Sequence, residues 1–187
     1  MDSGEIECER LLLSRNPDAV RKLIGRYQRP LFSYLYHRMT DVSAADDVLQ
    51  EVFVKVWKNR DAYEARGSLA GWLFTIARRT ALDHEDKIRR RRTASLDAAE
   101  GIGERERYAD SAVGPERLAD SSAMGARIDA AVAALPEDQR EVFLLREYGG
   151  LSFAEIARET GCPLGTALAR MRYAVLKLRD KLGDLDA

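Results

Sequence analysis

The chain has 187 residues, enough for one domain or two small ones, and with 45% hydrophobic and 33% charged residues it can bury a core under a hydrophilic surface. Its formal net charge of -1 excludes a globally basic nucleic-acid binder, so any attraction to phosphate must come from local charge. Cys8 and Cys162 lie far apart with no C-x-x-C and no neighbouring His cluster, which argues against a zinc site or a disulfide framework.

The N-terminus carries Asp2, Glu5, Glu7 and Glu9 and lacks the basic and apolar segments of a secretion signal. No apolar run approaches membrane-spanning length, so no membrane insertion and a cytoplasmic location are expected. The first predicted helix opens at Pro17, with Asn16 as N-cap. Val20, Leu23, Ile24, Tyr27, Leu31, Leu35 and Met39 follow at helical spacing, and Pro30 is expected to kink or interrupt them. In the next helix Val48, Leu49, Val52, Phe53, Val56 and Trp57 form a broad apolar face. Asp47, Gln50 and Glu51 lie opposite. That acidic, amide-bearing face is either a solvated surface or a protein-docking one.

Residues 58 to 68 are polar, contain Gly67 and read as a loop. Ser68 caps a third helix in which Leu69, Trp72, Leu73, Ile76 and Ala77 face inward while Thr75, Arg78 and Arg79 point away, and the helix runs on into KIRRRR. Aromatic, hydroxyl and Arg side chains at a loop-to-helix junction can stack on unpaired bases and follow a phosphate backbone. Equally, Trp72 can be core and the basic run solvated. Residues 78 to 92 carry seven Lys or Arg against three acids, and residues 158 to 181 carry six against two, so each region has a local charge of +4. Between them, residues 93 to 122 carry seven acids and three Arg, lose the apolar period and read as a flexible acidic linker. Such a linker could fold back on either basic region.

Periodicity returns with Ile128, Val132 and Leu135, and Pro136 opens another helix, PEDQREVFLLREY, ended by Gly149 and Gly150. Residues 151 to 182 then carry the punctuation of a helix-turn-helix. Ser152 and Glu155 form a capping-box pair for a helix over 153–160, Gly161 suits a left-handed position, and Pro163 separates a second helix. Leu164, Ala167, Met171, Ala174 and Leu178 share that helix's inner face, whereas Thr166, Arg170, Arg172 and Lys177 project away from it. A braced helix with hydroxyl and basic side chains at its start fits a major groove. A helical hairpin with a solvated basic face is the alternative.

Two stretches in one order carry a resemblance. DDVLQEVFVKVW, followed by GSLAGWLFTIARRTALDH and a basic run, resembles the second conserved region of bacterial sigma factors. ALPEDQREVFLLREYGGLSFAEIARETGCPLGTALARMRYAVLKLR resembles their fourth region, and with no third region between them the chain resembles the extracytoplasmic-function (ECF) group. The resemblance implies an all-α chain of two small helical domains, 17–92 and 123–184, joined by the linker 93–122. It implies a subunit that binds core RNA polymerase and directs promoter recognition, melting and transcription initiation.

Carried over residue by residue, the resemblance gives core-polymerase binding to Asp47, Gln50, Glu51 and Phe53. It assigns the minus-10 element to Ser68, Trp72, Thr75, Arg78 and Arg79, with a base flipped into a protein pocket. The minus-35 element falls to Thr166, Leu168, Ala169, Arg170 and Arg172. An anti-sigma factor is a further implied partner; no cofactor, metal or enzymatic activity is implied. There are two departures from the family pattern. Arg79 stands where Asn is usual after I-A-R, and Leu168 and Ala169 stand where a basic residue and Ser are usual. Leu168 and Ala169 could touch thymine methyl groups, or with Val175 and Leu176 they could form an apolar stripe against another protein or enlarge the core. The competing function is a sigma-like interaction protein that titrates an anti-sigma factor and hardly binds DNA.

Overall fold

A computed structural model describes residues 3–65, 67–98 and 123–183. Among these the regular elements are all helical: α1 (Ser3–Leu13), α2 (Ala19–Met39), α3 (Val42–Asn59), a single 3-10 turn (Arg60–Ala62), α4 (Leu69–Ala98), α5 (Ala123–Ala133), α6 (Glu137–Glu147), α7 (Phe153–Thr160) and α8 (Leu164–Leu182). The all-α, two-domain reading holds. Residues 93–98 of the expected linker continue α4. The remainder of that segment, 99–122, lies outside the described residues.

Local chemistry sets most of the helix ends. The Asp41 carboxylate accepts the Ala44 N–H at 3.0 Å to start α3, and Ser68 Oγ accepts the Gly71 N–H at 2.9 Å to start α4. At α7 the capping box is complete: Ser152 Oγ accepts the Glu155 N–H at 3.2 Å, and Glu155 Oε2 accepts the Ser152 N–H at 2.8 Å. Gly161 closes α7 at φ 67°, the left-handed conformation that glycine adopts without a Cβ clash.

Two sequence expectations are corrected, and one helix is added. Helix α2 starts at Ala19, two residues after Pro17, although the Asn16 side chain does accept the Asp18 N–H at 2.8 Å. It runs unbroken through Pro30, because burial of Leu31, Phe32, Tyr34 and Leu35 outweighs the hydrogen bond that proline cannot donate. The acidic N-terminus forms a helix: Cys8, Leu11 and Leu12 lie on one face of α1 and are buried against α2, while Glu7 pairs with Lys22 and Tyr63 Oη donates to Glu9 at 2.6 Å.

In the N-terminal domain α2 packs on α3, and α3 on α4, around Leu23, Leu31, Phe32, Leu35, Val48, Val52, Leu69, Leu73 and Ala77, all buried. Each large side chain removed from water there contributes roughly 1.5 to 3 kcal/mol. The C-terminal domain is thinner. Helix α8 rests on α5, α6 and α7 but buries only Ala167, Ala174 and Leu178 of its own length. Leu164 and Ile128, both expected inward, are exposed.

The domains are docked, with α5 and α6 lying against α2. At the centre of the seam the Glu141 carboxylate accepts hydrogen bonds from Tyr34 Oη at 2.8 Å, from Arg78 Nε at 3.1 Å and from Arg38. Arg38 also donates to Glu85 at 3.1 Å. Burial alone would lower the Arg38 pKa; the Glu141 carboxylate, then Tyr34 and Glu85, outweigh it and raise the value. Burial first, and Glu141 second, push the Tyr34 phenol well above its ordinary range, which keeps it a hydrogen-bond donor. Beside this cluster the His37 ring stacks on Tyr148 with centroids 5.3 Å apart, and its Nε2 lies 2.9 Å from Asp129.

Candidate nucleic-acid interface

The cap at Ser68 aims the first turns of α4 into a cleft of about 350 Å³. Four of the five residues expected at the minus-10 element, Ser68, Trp72, Thr75 and Arg79, line it together. Arg78, one position round the helix, turns instead to Glu141. Trp72 is half-buried, so the core and stacking readings each describe part of it. Tyr63 lies against it at 5.0 Å between centroids, tilted by 60°. Sequence reasoning missed Tyr63, whose only signal was an aromatic in an otherwise polar loop.

The opposite wall belongs to the C-terminal domain: Leu151, Glu155, Arg158 and Glu159. Glu155 accepts hydrogen bonds from Ser68 Oγ at 2.9 Å and from the Ser68 N–H at 3.3 Å, so one carboxylate caps two helices, α7 in its own domain and α4 in the other. Burial by itself would raise the Glu155 carboxyl. The bonds from Ser152 and then Ser68 outweigh burial and hold the group down to about 2. Glu159 stands 4.0 Å from the largely exposed Arg79 guanidinium.

On α3, Asp47 and Gln50 are exposed, Glu51 is half-buried and paired with Lys55 at 3.0 Å, and Gln50 donates to Asp46 at 3.0 Å. Phe53 is partly buried against the core. The exposed apolar groups on this helix are Val54 (50%) and Trp57 (48%), the latter beneath the Arg60 guanidinium at 4.0 Å from the ring centroid. Trp57 was expected on the inner face. It falls seven residues after Gln50, as Val54 falls seven after Asp47, and so joins the polar stripe.

On α8, Leu168 is 46% exposed, Ala169 and Arg172 are also exposed, and Thr166 is half-buried. Arg170 is bound to Asp138 at the start of α6. Leu164, Leu168 and Val175 form an exposed apolar stripe flanked by Arg172 and Arg179. Among the described residues no three His, Cys, Asp or Glu side chains are grouped to hold a metal ion, and no helix is long and apolar enough to cross a membrane.

Residues 23–93 match the family described as Sigma-70 region 2, and residues 125–178 match Sigma-70, region 4. The chain is 33% identical over 168 residues to the ECF RNA polymerase sigma factor SigC of Mycobacterium tuberculosis, covering 89% of this chain and 83% of that one. It belongs to the ECF sigma factors. SigK of the same species is 28% identical over 191 residues, with 91% and 95% covered. The fold is also that of two solved sigma chains. RpoE of Bartonella quintana, in complex with the anti-sigma factor NepR, superposes with a TM-score of 0.65 at 23% identity, covering 89% of this chain and 98% of that one. CnrH, in complex with the cytosolic domain of CnrY, gives 0.64 at 22%, covering 99% and 100%. As a sigma factor, the chain acts with RNA polymerase and promoter DNA to direct promoter recognition and transcription initiation; this is a regulatory, DNA-binding role.

Proposed function

We propose a division of labour among three surfaces of this sigma factor. The α3 stripe of Asp47, Gln50 and Glu51, extended by Val54 and Trp57, docks on core RNA polymerase. The cleft at the start of α4 takes an unpaired minus-10 base, and the first half of α8 enters the minus-35 major groove. Residues 17–92 and 123–184 are the two working units, joined by 93–122. The protein works in the cytoplasm and has no catalytic activity of its own. The observation that carries this reading is the convergence of Ser68, Trp72, Thr75 and Arg79 on one cleft. A hydroxyl, an indole, a second hydroxyl and a guanidinium supply base stacking, edge hydrogen bonds and a phosphate contact within about three helical turns.

On α8, Arg172 is free to reach a base or phosphate, and Leu168 is exposed enough to touch a thymine methyl. The exposed stripe of Leu164, Leu168 and Val175 also supports an anti-sigma factor as partner, and with it the second reading, a sigma-like chain that titrates such a factor. The solved neighbours RpoE and CnrH are each seen with a protein partner, NepR and CnrY.

Permanganate footprinting of the reconstituted holoenzyme on a promoter it transcribes tests the cleft. Wild type exposes unpaired thymines at the minus-10 element, and Trp72→Ala weakens that reactivity by about 1 to 3 kcal/mol in apparent affinity, the worth of one stacked base. Undiminished reactivity with folded Trp72→Ala would remove the cleft from promoter melting.

A further inference from the structure

We infer that α1 is a positioning element of the minus-10 cleft: its Glu9 carboxylate anchors the Tyr63 ring against Trp72 and so fixes the wall on which an unpaired base stacks. This rests on the reading of the cleft proposed above, and it assigns to that cleft a residue from outside the matched sigma regions. Residues 23–93 carry the region 2 match, whereas α1 ends at Leu13.

Helix α1 is a built element rather than a trailing end. Its last turn is closed by the paired hydrogen bonds of a Schellman motif: the Asn16 N–H donates to the Leu11 carbonyl at 2.9 Å, and the Arg15 N–H donates to the Leu12 carbonyl at 2.9 Å. Arg15 takes the left-handed conformation at φ 54°, which disfavours any residue with a Cβ, so the fold holds this reversal against local preference. Cys8, Leu11 and Leu12 are buried against α2, and helical spacing puts Glu7 on one flank of that face and Glu9 on the other. Glu7 pairs with Lys22 of α2. Glu9 reaches the segment after the 3-10 turn, where it accepts the Tyr63 hydroxyl at 2.6 Å across 54 positions of sequence.

Tyr63 depends on that partner. It sits in extended backbone between the 3-10 turn and α4, where no regular element fixes its direction, yet it is only 7% exposed. A buried phenol keeps its ring inside when the hydroxyl finds an acceptor there. Burial first, and the Glu9 hydrogen bond and charge next, push the phenol up from its ordinary value, so the proton stays on Tyr63 and the bond to the carboxylate is charge-assisted. The anchored ring lies 5.0 Å from Trp72 between centroids, tilted by 60°, and both rings line the cleft. Trp72 is half-buried, so part of its indole remains open to a base. Holding the indole in one orientation beforehand spares the entropy of ordering it when the base arrives.

The test uses the full chain and its holoenzyme. The chain has two tryptophans, Trp57 and Trp72, so emission from the free chain in a Trp57→Phe background reports Trp72 alone. Glu9→Ala and Tyr63→Phe should each raise acrylamide quenching of Trp72, and their combination should raise it no further, because both cut the same link. Glu9→Gln, whose amide oxygen still accepts from the phenol, should restore most of the wild-type value. In holoenzyme that keeps Trp57, Glu9→Ala should lower permanganate reactivity of the minus-10 thymines about three- to ten-fold, the change that one net hydrogen bond supports, with affinity for core polymerase unchanged. Glu7→Gln, on the opposite flank of α1, controls for docking of the helix and should alter none of these readings. Unchanged quenching, additive quenching in the double variant, or a Glu9→Ala loss that Glu7→Gln reproduces would each overturn the inference. Should Glu9→Ala not fold, Tyr63→Phe carries the same expectations alone. Trp72→Ala separates the two ideas: if it lowers thymine reactivity while Glu9→Ala leaves it whole, only the role of α1 fails, and if neither lowers it, the cleft reading fails.

Discussion

Helices α4 and α8 each gather hydroxyl, apolar and Arg side chains near a helix start, but the chain presents them in opposite ways. On α4, Ser68, Arg78 and Arg79 face acids of the other domain across a seam with buried charges at its centre. On α8, Leu168, Ala169 and Arg172 stand in solvent, and Arg170 holds Asp138 within its own domain. The difference fits the roles proposed for the two surfaces. A face that binds unpaired bases must not bind stray single strands, whereas a duplex-reading helix gains its specificity from base edges and tolerates exposure. Position in the fold matters more here than residue content.

The largest effect separating the two surfaces should come from Arg38→Ala. It removes a buried cation and leaves Glu141 short of a partner, a change that costs about 3 to 5 kcal/mol in comparable sites. Denaturation of the full chain measures it. A loss below about 1 kcal/mol, the value of an exposed pair, would mean the seam is wet and weak.

Next in size, Arg172→Ala should lose about 1 to 3 kcal/mol of minus-35 duplex affinity if it reads a base edge. Competition between cognate and scrambled duplexes decides: equal weakening on both makes Arg172 a phosphate contact. Arg170→Ala should be less sequence-selective than Arg172→Ala, because its guanidinium is already engaged by Asp138.

Smaller again is Ser152→Ala, which deletes the α7 cap and should cost about 1 kcal/mol of stability. The same carboxylate that completes this cap also sets the pH behaviour. Glu155 has its pKa held down to about 2 against a reference of 4.5, so the folded chain binds fewer protons than the unfolded one in that interval. Its contribution is fully present above about pH 4.5 and is lost as pH falls towards 2. Denaturation of the full chain across pH should therefore show no Glu155-dependent change in stability near neutrality and an acid-side loss that Glu155→Gln abolishes. Smallest of all, Asp138→Asn breaks the pair with Arg170 at a largely exposed carboxylate and should cost under about 1 kcal/mol.

Local signals were readable wherever a short-range rule decides the structure. Ser152, Glu155, Gly161 and Pro163 bound α7 and start α8 because caps and left-handed turns depend on residues within four positions. Ser68 starts α4 for the same reason. What escaped the sequence is non-local. Tyr34 and Glu141 are 107 positions apart, and neither residue type nor spacing marks them as partners. Helix α1 is short and acidic and is held by burial of Cys8, Leu11 and Leu12 rather than by propensity. Trp57 and Leu164 fit a helical apolar period yet face outward, because periodicity defines a stripe and the neighbouring helices decide its width. The cleft itself was half legible. Ser68, Trp72, Thr75 and Arg79 were readable from α4, but Tyr63 and the roof from α7 required the fold.

Run-off transcription by purified bacterial core RNA polymerase on a library of promoter fragments, with and without this protein, tests the sigma-factor function most directly. The predicted result is a set of protein-dependent transcripts whose templates share one upstream pair of sequence elements. Core polymerase that binds the protein yet starts no transcript from any fragment would contradict it.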